Sequence, residues 1–267
     1  MENILKKIIL RKKEKLESYK KNYPINNILN DIKNITNLIN FKDKIKNRTD
    51  KKEISIIAEI KKASPSAGLL LKDFNPLDLA KIYLENGASF LSVLTEEDFF
   101  MGHLNFIKLI KDKYKIPILC KDFFIDTYQV PLAKSFGADC ILIILSAIDK
   151  KLAYDIYQTA NDLNISSIIE VHTEKEAEES LIYENSMIGI NNRNLKTLDV
   201  TLDTCIKLSK ILISHKNPLI CESGIKTVND IKLVIDKTNV SNFLIGESLL
   251  TSNDIGGKLR EFAQISL

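Results

Sequence analysis

The sequence predicts a (β/α)8 barrel carrying a helical N-terminal extension. Three observations predict it. After residue 53, short apolar, β-branched runs alternate with amphipathic segments of helical length, eight times over. The run centres fall near residues 57, 92, 119, 142, 168, 188, 220 and 244, the spacing of a βα unit. Polar and charged residues gather at the C-terminal ends of those runs, the end at which a barrel of this kind carries its chemistry. Eight units close a barrel, whereas a doubly wound sheet usually has about five or six strands.

The predicted strands are 54–61, 89–95, 117–122, 139–145, 166–171, 186–191, 218–222 and 242–246. They are apolar on both faces, as a parallel sheet covered by helices requires. Between them lie helices such as 76–85, closed by Gly87; a second ends at Gly137 in the same way. Asp149 and Asp254 are N-cap candidates. Pro131 sits several residues into the third helix and predicts a kink or a delayed start there. Ahead of the barrel, Leu5, Ile8, Ile9, Leu16 and Tyr19 fall near one helical face, so a docked helix is expected. Pro24 breaks it, and a second helix is expected over 25–38. The whole is read as one domain, residues 1–267, of which 1–50 form the extension.

Composition narrows the function classes. The chain has 267 residues, is 45% hydrophobic and carries a net charge of +3 at pH 7. No stretch approaches the ~18–20 apolar residues that span a bilayer, and the N-terminus lacks the apolar core and cleavage site of a secretory signal. Cytoplasmic residence and no membrane partner are expected. The four cysteines, Cys120, Cys140, Cys205 and Cys221, match neither a zinc pattern nor a disulfide framework and read as small buried hydrophobes. Residues 1–52 hold 15 Lys or Arg against 6 Asp or Glu. With few aromatics and no recognition motif, that surplus reads as a solvated helical face, and no nucleic-acid partner is expected. A basic rim also favours an anionic substrate.

The strand ends carry the informative residues. Glu59 and Lys61 end the first strand two apart, hence on one side of it. Lys121 ends the third, Glu170 the fifth, Asn191 and Arg193 the sixth, Glu222 and Ser223 the seventh, and Glu247 follows the eighth. Converging Lys and Glu suit proton transfer, because each tunes its neighbour's proton affinity. Gly224 and Gly246 suit a phosphate held by backbone N–H groups. His103 and His215 lie away from the strand ends, and His172 reads as the opening of a helix, so a catalytic histidine is not expected. No grouping has metal-ligand spacing, and no metal is expected.

The segment Ile57-Ala58-Glu59-Ile60-Lys61-Lys62-Ala63-Ser64-Pro65-Ser66 resembles the signature of the indole-3-glycerol-phosphate synthase family. Further blocks resemble the family in its order: Leu94 to Glu97 with Phe99 and Gly102, then 117–123, 141–145, 169–172, 189–195, 222–225 and 244–249. The N-terminal Ile4-Leu5-Lys6-Lys7-Ile8 resembles the family's leading helix. That family closes the pyrrole ring of 1-(2-carboxyphenylamino)-1-deoxyribulose 5-phosphate, a phosphorylated small molecule. Carbon dioxide and water leave, and no cofactor takes part.

The resemblance implies a role for each matching residue. Lys121 matches the general acid, Glu170 the base of the dehydration, Lys61 an anchoring lysine also proposed as an acid, and Glu59 the carboxylate that orients them. Asn191, Arg193 and Glu222 match residues that hold polar groups of the substrate and the charge network. Ser223 and Leu195 belong to the substrate rim, and Gly224, Gly246 and Glu247 to the phosphate-binding backbone. The chain departs from the pattern at Cys221, at 183–186 and in placing a carboxylate, Glu247, by the expected phosphate. The nearest rival is a phosphate-binding isomerase barrel of the same pathway, which relies on a cysteine–aspartate pair; Glu59 and Lys61 argue against it. A barrel kept only as a scaffold is the other. A monofunctional monomer is expected.

Overall fold

In a computed structural model, which describes residues 4–195 and 197–265, eight parallel strands close into a barrel. They are β1 (Ser55–Ile60), β2 (Phe90–Leu94), β3 (Ile118–Lys121), β4 (Cys140–Ile144), β5 (Ser166–Val171), β6 (Met187–Asn191), β7 (Leu219–Glu222) and β8 (Asn242–Ile245). Each pairs with its sequence neighbours, and β1 closes the ring against β8, with Ile57 opposite Leu244 on one side and Phe90 on the other. A short antiparallel ribbon, Ala63–Ser64 with Gly68–Leu69, stands on the loop after β1. Every predicted strand is present, generally a residue or so shorter at its ends, because pairing stops where the chain turns outward.

The surrounding helices are α4 (Pro76–Glu85), α5 (Leu104–Lys113), α6 (Gln129–Ser135), α7 (Lys150–Asp162), α8 (Glu174–Ser180), α9 (Asp203–Ile211), α10 (Val228–Thr238), α11 (Glu247–Leu250) and α12 (Ile255–Ala263), after the leading α1 (Ile4–Asn22), α2 (Ile25–Lys33) and α3 (Phe41–Asp50). Asp149 and Asp254 cap as expected, accepting from Leu152 N–H and Gly257 N–H. Gly87 and Gly137 follow their helices with φ of +99° and +95°, a backbone that a side chain disfavours. Pro131 lies in the first turn of α6, where its missing N–H costs nothing, so it delays the helix start without kinking it.

The core has two parts. One fills the space between strands and helices. The other fills the barrel, with Ile57, Leu119, Ile168 and Ile220 meeting at its centre. Two residues of this inner cluster, Phe41 and Ile45, come from α3. The Phe41 ring lies 4.6 Å from that of Phe90 at the start of β2, so α3 plugs the N-terminal end of the barrel. Ile39 N–H, donating to Asp139, and Lys42 N–H, donating to Ser166 Oγ, fix the plug to the beginnings of β4 and β5.

The extension departs from expectation in three ways. The helix predicted over 25–38 ends at Lys33, where Asn, Ile and Thr succeed one another and the backbone gains more from turns. A separate helix, α3, follows. The basic surplus is a solvated face only in part: most of its lysines and arginines, Lys6, Lys13 and Lys21 of α1 among them, are exposed, but three lysines of α1 pair with the barrel. Lys12 is buried in α1 beside Ile8 and Leu16, with Nζ 2.7 Å from Asp122 Oδ1. Lys15 pairs with Glu97 and Asp98 at 2.7 and 2.8 Å, and Lys20 with Asp126 at 2.7 Å. The lysines therefore strap α1 across the loops after β2 and β3, at the C-terminal mouth. No helix of the described residues is long and apolar enough to cross a membrane.

Candidate active site

Side chains alternate in and out along a strand, so the residue two beyond each central apolar side chain also points inward. On β1, β3, β5 and β7 those residues are Glu59, Lys121, Glu170 and Glu222. Alternate strands of a barrel supply one layer between them; here that layer is charged where the one beneath it is apolar. Lys121 Nζ lies 3.0 Å from Glu170 Oε2 and 2.6 Å from Glu222 Oε2. Lys61, one residue past β1, turns back to put its Nζ 2.6 Å from Glu59 Oε1. All three carboxylates are buried.

Burial and charge work against each other in this layer. Burial, the largest influence on Lys121, favours the neutral amine, but Glu170, Glu222 and Glu59 outweigh it and raise its pKa above the ordinary lysine value. Burial likewise disfavours the Glu170 anion, yet Lys121 and His172 overcome it and hold Glu170 below the usual carboxylate range. For Glu222 burial wins. Together with the Glu170 charge it outweighs Lys121 and raises Glu222 to about 7. Two carboxylates sharing one ammonium thus divide into a firm anion and one that gains a proton near neutrality.

The layer forms the floor of a cleft of about 590 Å³. Its lining includes the apolar Phe100, Phe123, Leu195 and Leu198, and α1 contributes Ile4, Leu5 and Ile8. At the rim Arg193 reaches Glu247 Oε2 at 2.9 Å. Asn191 Oδ1 accepts from Arg193 N–H at 3.0 Å and so shapes the turn after β6. Ser223 and Gly224 leave β7 with φ of +65° and +88°; positive φ is costly for serine and is a form of strain that collects at functional sites.

A family model of indole-3-glycerol phosphate synthase matches residues 5–262 of the chain. The chain belongs to the indole-3-glycerol phosphate synthase family. It is similar to the synthase of Alkaliphilus metalliredigens (strain QYMF), 42% identical over 258 residues that cover 97% of each chain. Against that of Legionella pneumophila (strain Lens) the identity is 41% over 261 residues and 98% of each chain. More distant solved structures share the fold. A 3-hexulose-6-phosphate synthase from Salmonella typhimurium superimposes with a TM-score of 0.62 at 15% identity, covering 79% of this chain and 97% of that one. The tryptophan synthase alpha subunit of Legionella pneumophila str. Paris does so with 0.61 at 12%, covering 83% and 96%. As an indole-3-glycerol phosphate synthase the chain is a carboxy-lyase of tryptophan biosynthesis.

In this family member every residue singled out at the strand ends lines the one cleft: Glu59, Lys61, Lys121, Glu170, Asn191, Arg193, Leu195, Glu222, Ser223, Gly224, Gly246 and Glu247. Gly246 does more than expose its backbone, since a Cβ there would come within 3.0 Å of Glu59 Cβ and closer still to its carboxylate. Glu247 starts α11 and turns its side chain to Arg193.

Sequence reasoning missed three residues of the synthase cleft and its support. Gly189 is flush with β6 and leaves room for the Glu222 carboxylate. Asn192, buried, donates from Nδ2 to Glu222 O at 3.1 Å and Ser223 O at 3.0 Å, and accepts from Cys205 N–H at 2.9 Å, so it ties the strained turn to α9. His172 was set aside as a helix opener; it does precede α8, yet its ring is buried between Glu170 and Glu176. For Asn192 and His172 the available signal was a polar residue following a strand end, and for Gly189 it was a glycine inside an apolar strand. Among the described residues no group of three or more His, Cys, Asp or Glu is arranged to hold a metal ion.

Proposed function

We propose that the chain closes the pyrrole ring of 1-(2-carboxyphenylamino)-1-deoxyribulose 5-phosphate by Lys/Glu general acid–base catalysis, releasing carbon dioxide, water and indole-3-glycerol phosphate. The observation that carries this reading is Lys121 Nζ at 3.0 and 2.6 Å from two buried carboxylates on the floor of the cleft. The substrate brings a ketone, a benzoate carboxylate and a phosphate. Lys121, kept protonated by its carboxylates, gives its proton to the ketone oxygen as the ring carbon bearing the carboxylate attacks the ketone carbon. The carbon–carboxylate bond then breaks and its electron pair returns to the ring. The new hydroxyl takes a proton from Lys61 and leaves as water, while Glu170 takes a proton from the ring methylene, which completes the aromatic indole.

The proton transfers at Lys121 and Glu170 are coupled. Once Lys121 is neutral it no longer holds Glu170 down, so the base strengthens after the acid has acted. Glu59 fixes Lys61, which anchors the substrate and is a further proton donor. Asn191, Arg193, Glu222 and Ser223 hold polar groups of the substrate, and Leu195 packs on its aromatic ring. The backbone at Gly224, Gly246 and Glu247 receives the phosphate. No cofactor takes part. General acid–base steps contribute roughly 10²–10⁴-fold each.

The test is to mix purified protein with that substrate, without metal or cofactor, and follow indole fluorescence, with Lys121→Ala in parallel. Turnover that collapses in the variant supports the reading. No product from well-folded protein rejects it.

A further inference from the structure

One buried titratable side chain lies against this machinery with no part in it so far. His172 follows β5 and stands just before Thr173, the N-cap of α8. Its Nε2 is 3.1 Å from Glu170 Oε1, close enough for strong charge attraction though out of line for a good hydrogen bond. Its Nδ1 is 3.3 Å from Glu176 Oε2, and its backbone N–H donates to the same oxygen at 2.7 Å. Glu176 is itself fixed, because its N–H donates to Thr173 Oγ1 at 3.2 Å as the third residue of the helix. The Glu176 carboxylate, held by the His172 backbone N–H, supports the ring at Nδ1.

Helix stability does not explain this histidine. A cation at a helix N-terminus opposes the helix dipole, and α8 already has Glu174 and Glu176 in its first turn. Nor does burial, which disfavours the imidazolium; the two carboxylates overcome it and raise His172 to about 9. The ring is therefore charged at neutral pH, held there by Glu170 and Glu176. The Glu170 carboxylate is then gripped from both sides, with Oε2 on Lys121 and Oε1 on His172.

We propose that His172, backed by Glu176, is a positioning residue that fixes the Glu170 carboxylate and keeps it anionic after Lys121 has given up its proton. The inference rests on the reading of Glu170 as the base. Without His172, a neutral Lys121 would leave Glu170 in a dry layer facing the charge of Glu222 and, beyond Lys121, that of Glu59. It would then capture a proton from solvent instead of from the substrate. With His172 present, one cation remains through the whole cycle.

The pH dependence of kcat/KM tests this. The charged groups facing Glu170 are Lys121 on β3, Glu222 on β7, His172 and, through it, Glu176; Glu59 acts through Lys121. His172→Asn removes the charge together with the imidazole and its two contacts, and leaves the backbone N–H to Glu176 in place. The Glu170 pKa then rises, so the acidic limb should move up by about one pH unit or more, with the high-pH plateau falling less than the acidic side. Glu176→Gln should move it the same way by less. A uniform loss at every pH would assign His172 a structural role and overturn the proposal. A second readout needs no turnover: the imidazole NMR titration of His172, identified by its absence in His172→Asn. It should titrate well above ~6.5 and fall in Glu170→Gln. An unchanged titration in that variant would also overturn the proposal. Wild-type protein that makes no product while its His172 titration does respond to Glu170→Gln would instead sink the general-base reading and leave the pairing intact.

Discussion

Gly189 on β6 lacks a side chain where Glu222 on β7 places its carboxylate. A Cβ on Gly189 would press into Glu222 Oε1 and come within 2.9 Å of Ile168 Cγ2. The carboxylate that gains a proton near neutrality thus owes its position to a glycine on the neighbouring strand. Gly246 stands in the same relation to Glu59, so two of the buried acids occupy space left by glycine.

Gly189→Ala should therefore injure activity more than stability. Overpacking costs ~1–3 kcal/mol, whereas moving Glu222 off Lys121 disturbs both the acid and the base. A loss of roughly 10²-fold in kcat/KM is expected, with a folded protein by circular dichroism and a modest drop in Tm. Near-normal turnover would show that the Glu222 position is not critical.

Glu222→Gln should shift the alkaline limb. Lys121 must be protonated to donate, and Glu222 is one of the anions that raise its pKa. Removing that charge lowers the Lys121 pKa, so activity should fall off at lower pH than in the parent. The kcat/KM profile, carried from neutrality to beyond the ordinary lysine value of ~10.4, reads this directly; a limb that stays or moves upward contradicts the assignment of Lys121 as the acid.

Arg193 is held by Glu247 at 2.9 Å; under the proposed function an anionic group of the substrate would compete with that carboxylate. Glu247→Gln should lower KM a few-fold with kcat little changed, while Arg193→Gln should raise KM. Steady-state kinetics on the pair decide it, and an increase in KM for Glu247→Gln would show that the carboxylate helps binding.

Lys12→Met should loosen α1 from the mouth. Breaking a buried pair strands the other charge, at a cost of ~3–5 kcal/mol; Asp122 keeps its bonds from Thr95 and Phe123 N–H, which offset part of this. Lys15 and Lys20 are more exposed, and each contributes at most about 1 kcal/mol. Urea unfolding of Lys12→Met, Lys15→Met and the Lys12→Met, Asp122→Asn double variant should rank them, with the double variant recovering most of the loss.

What the sequence revealed depended on how local the physics was. Strands buried on both faces announce themselves by unbroken apolar runs, and a barrel's topology then sends their C-terminal polar residues to one mouth. That is why Glu59, Lys121, Glu170 and Glu222 were legible together. The α3 plug was not, because only Phe41 and Ile45 of its ten residues are buried, too few for a helical stripe. Lys12 looked like solvated charge because its partner, Asp122, is far along the chain. Gly189 and His172 were illegible for the same reason: each is explained by a carboxylate whose position only the closed barrel fixes.

The stopper at the base has a consequence for the acids above it. With Phe41 seated on Phe90 the base of the vessel is stoppered, and the cleft lies at the other end, between α1 and the strand ends. The seal also keeps solvent from seeping upward through the staves, and dryness is the largest influence on Lys121, Glu170 and Glu222 alike. A leak at Phe41 would retune the proton chemistry from the far end of the molecule without touching any group that performs it.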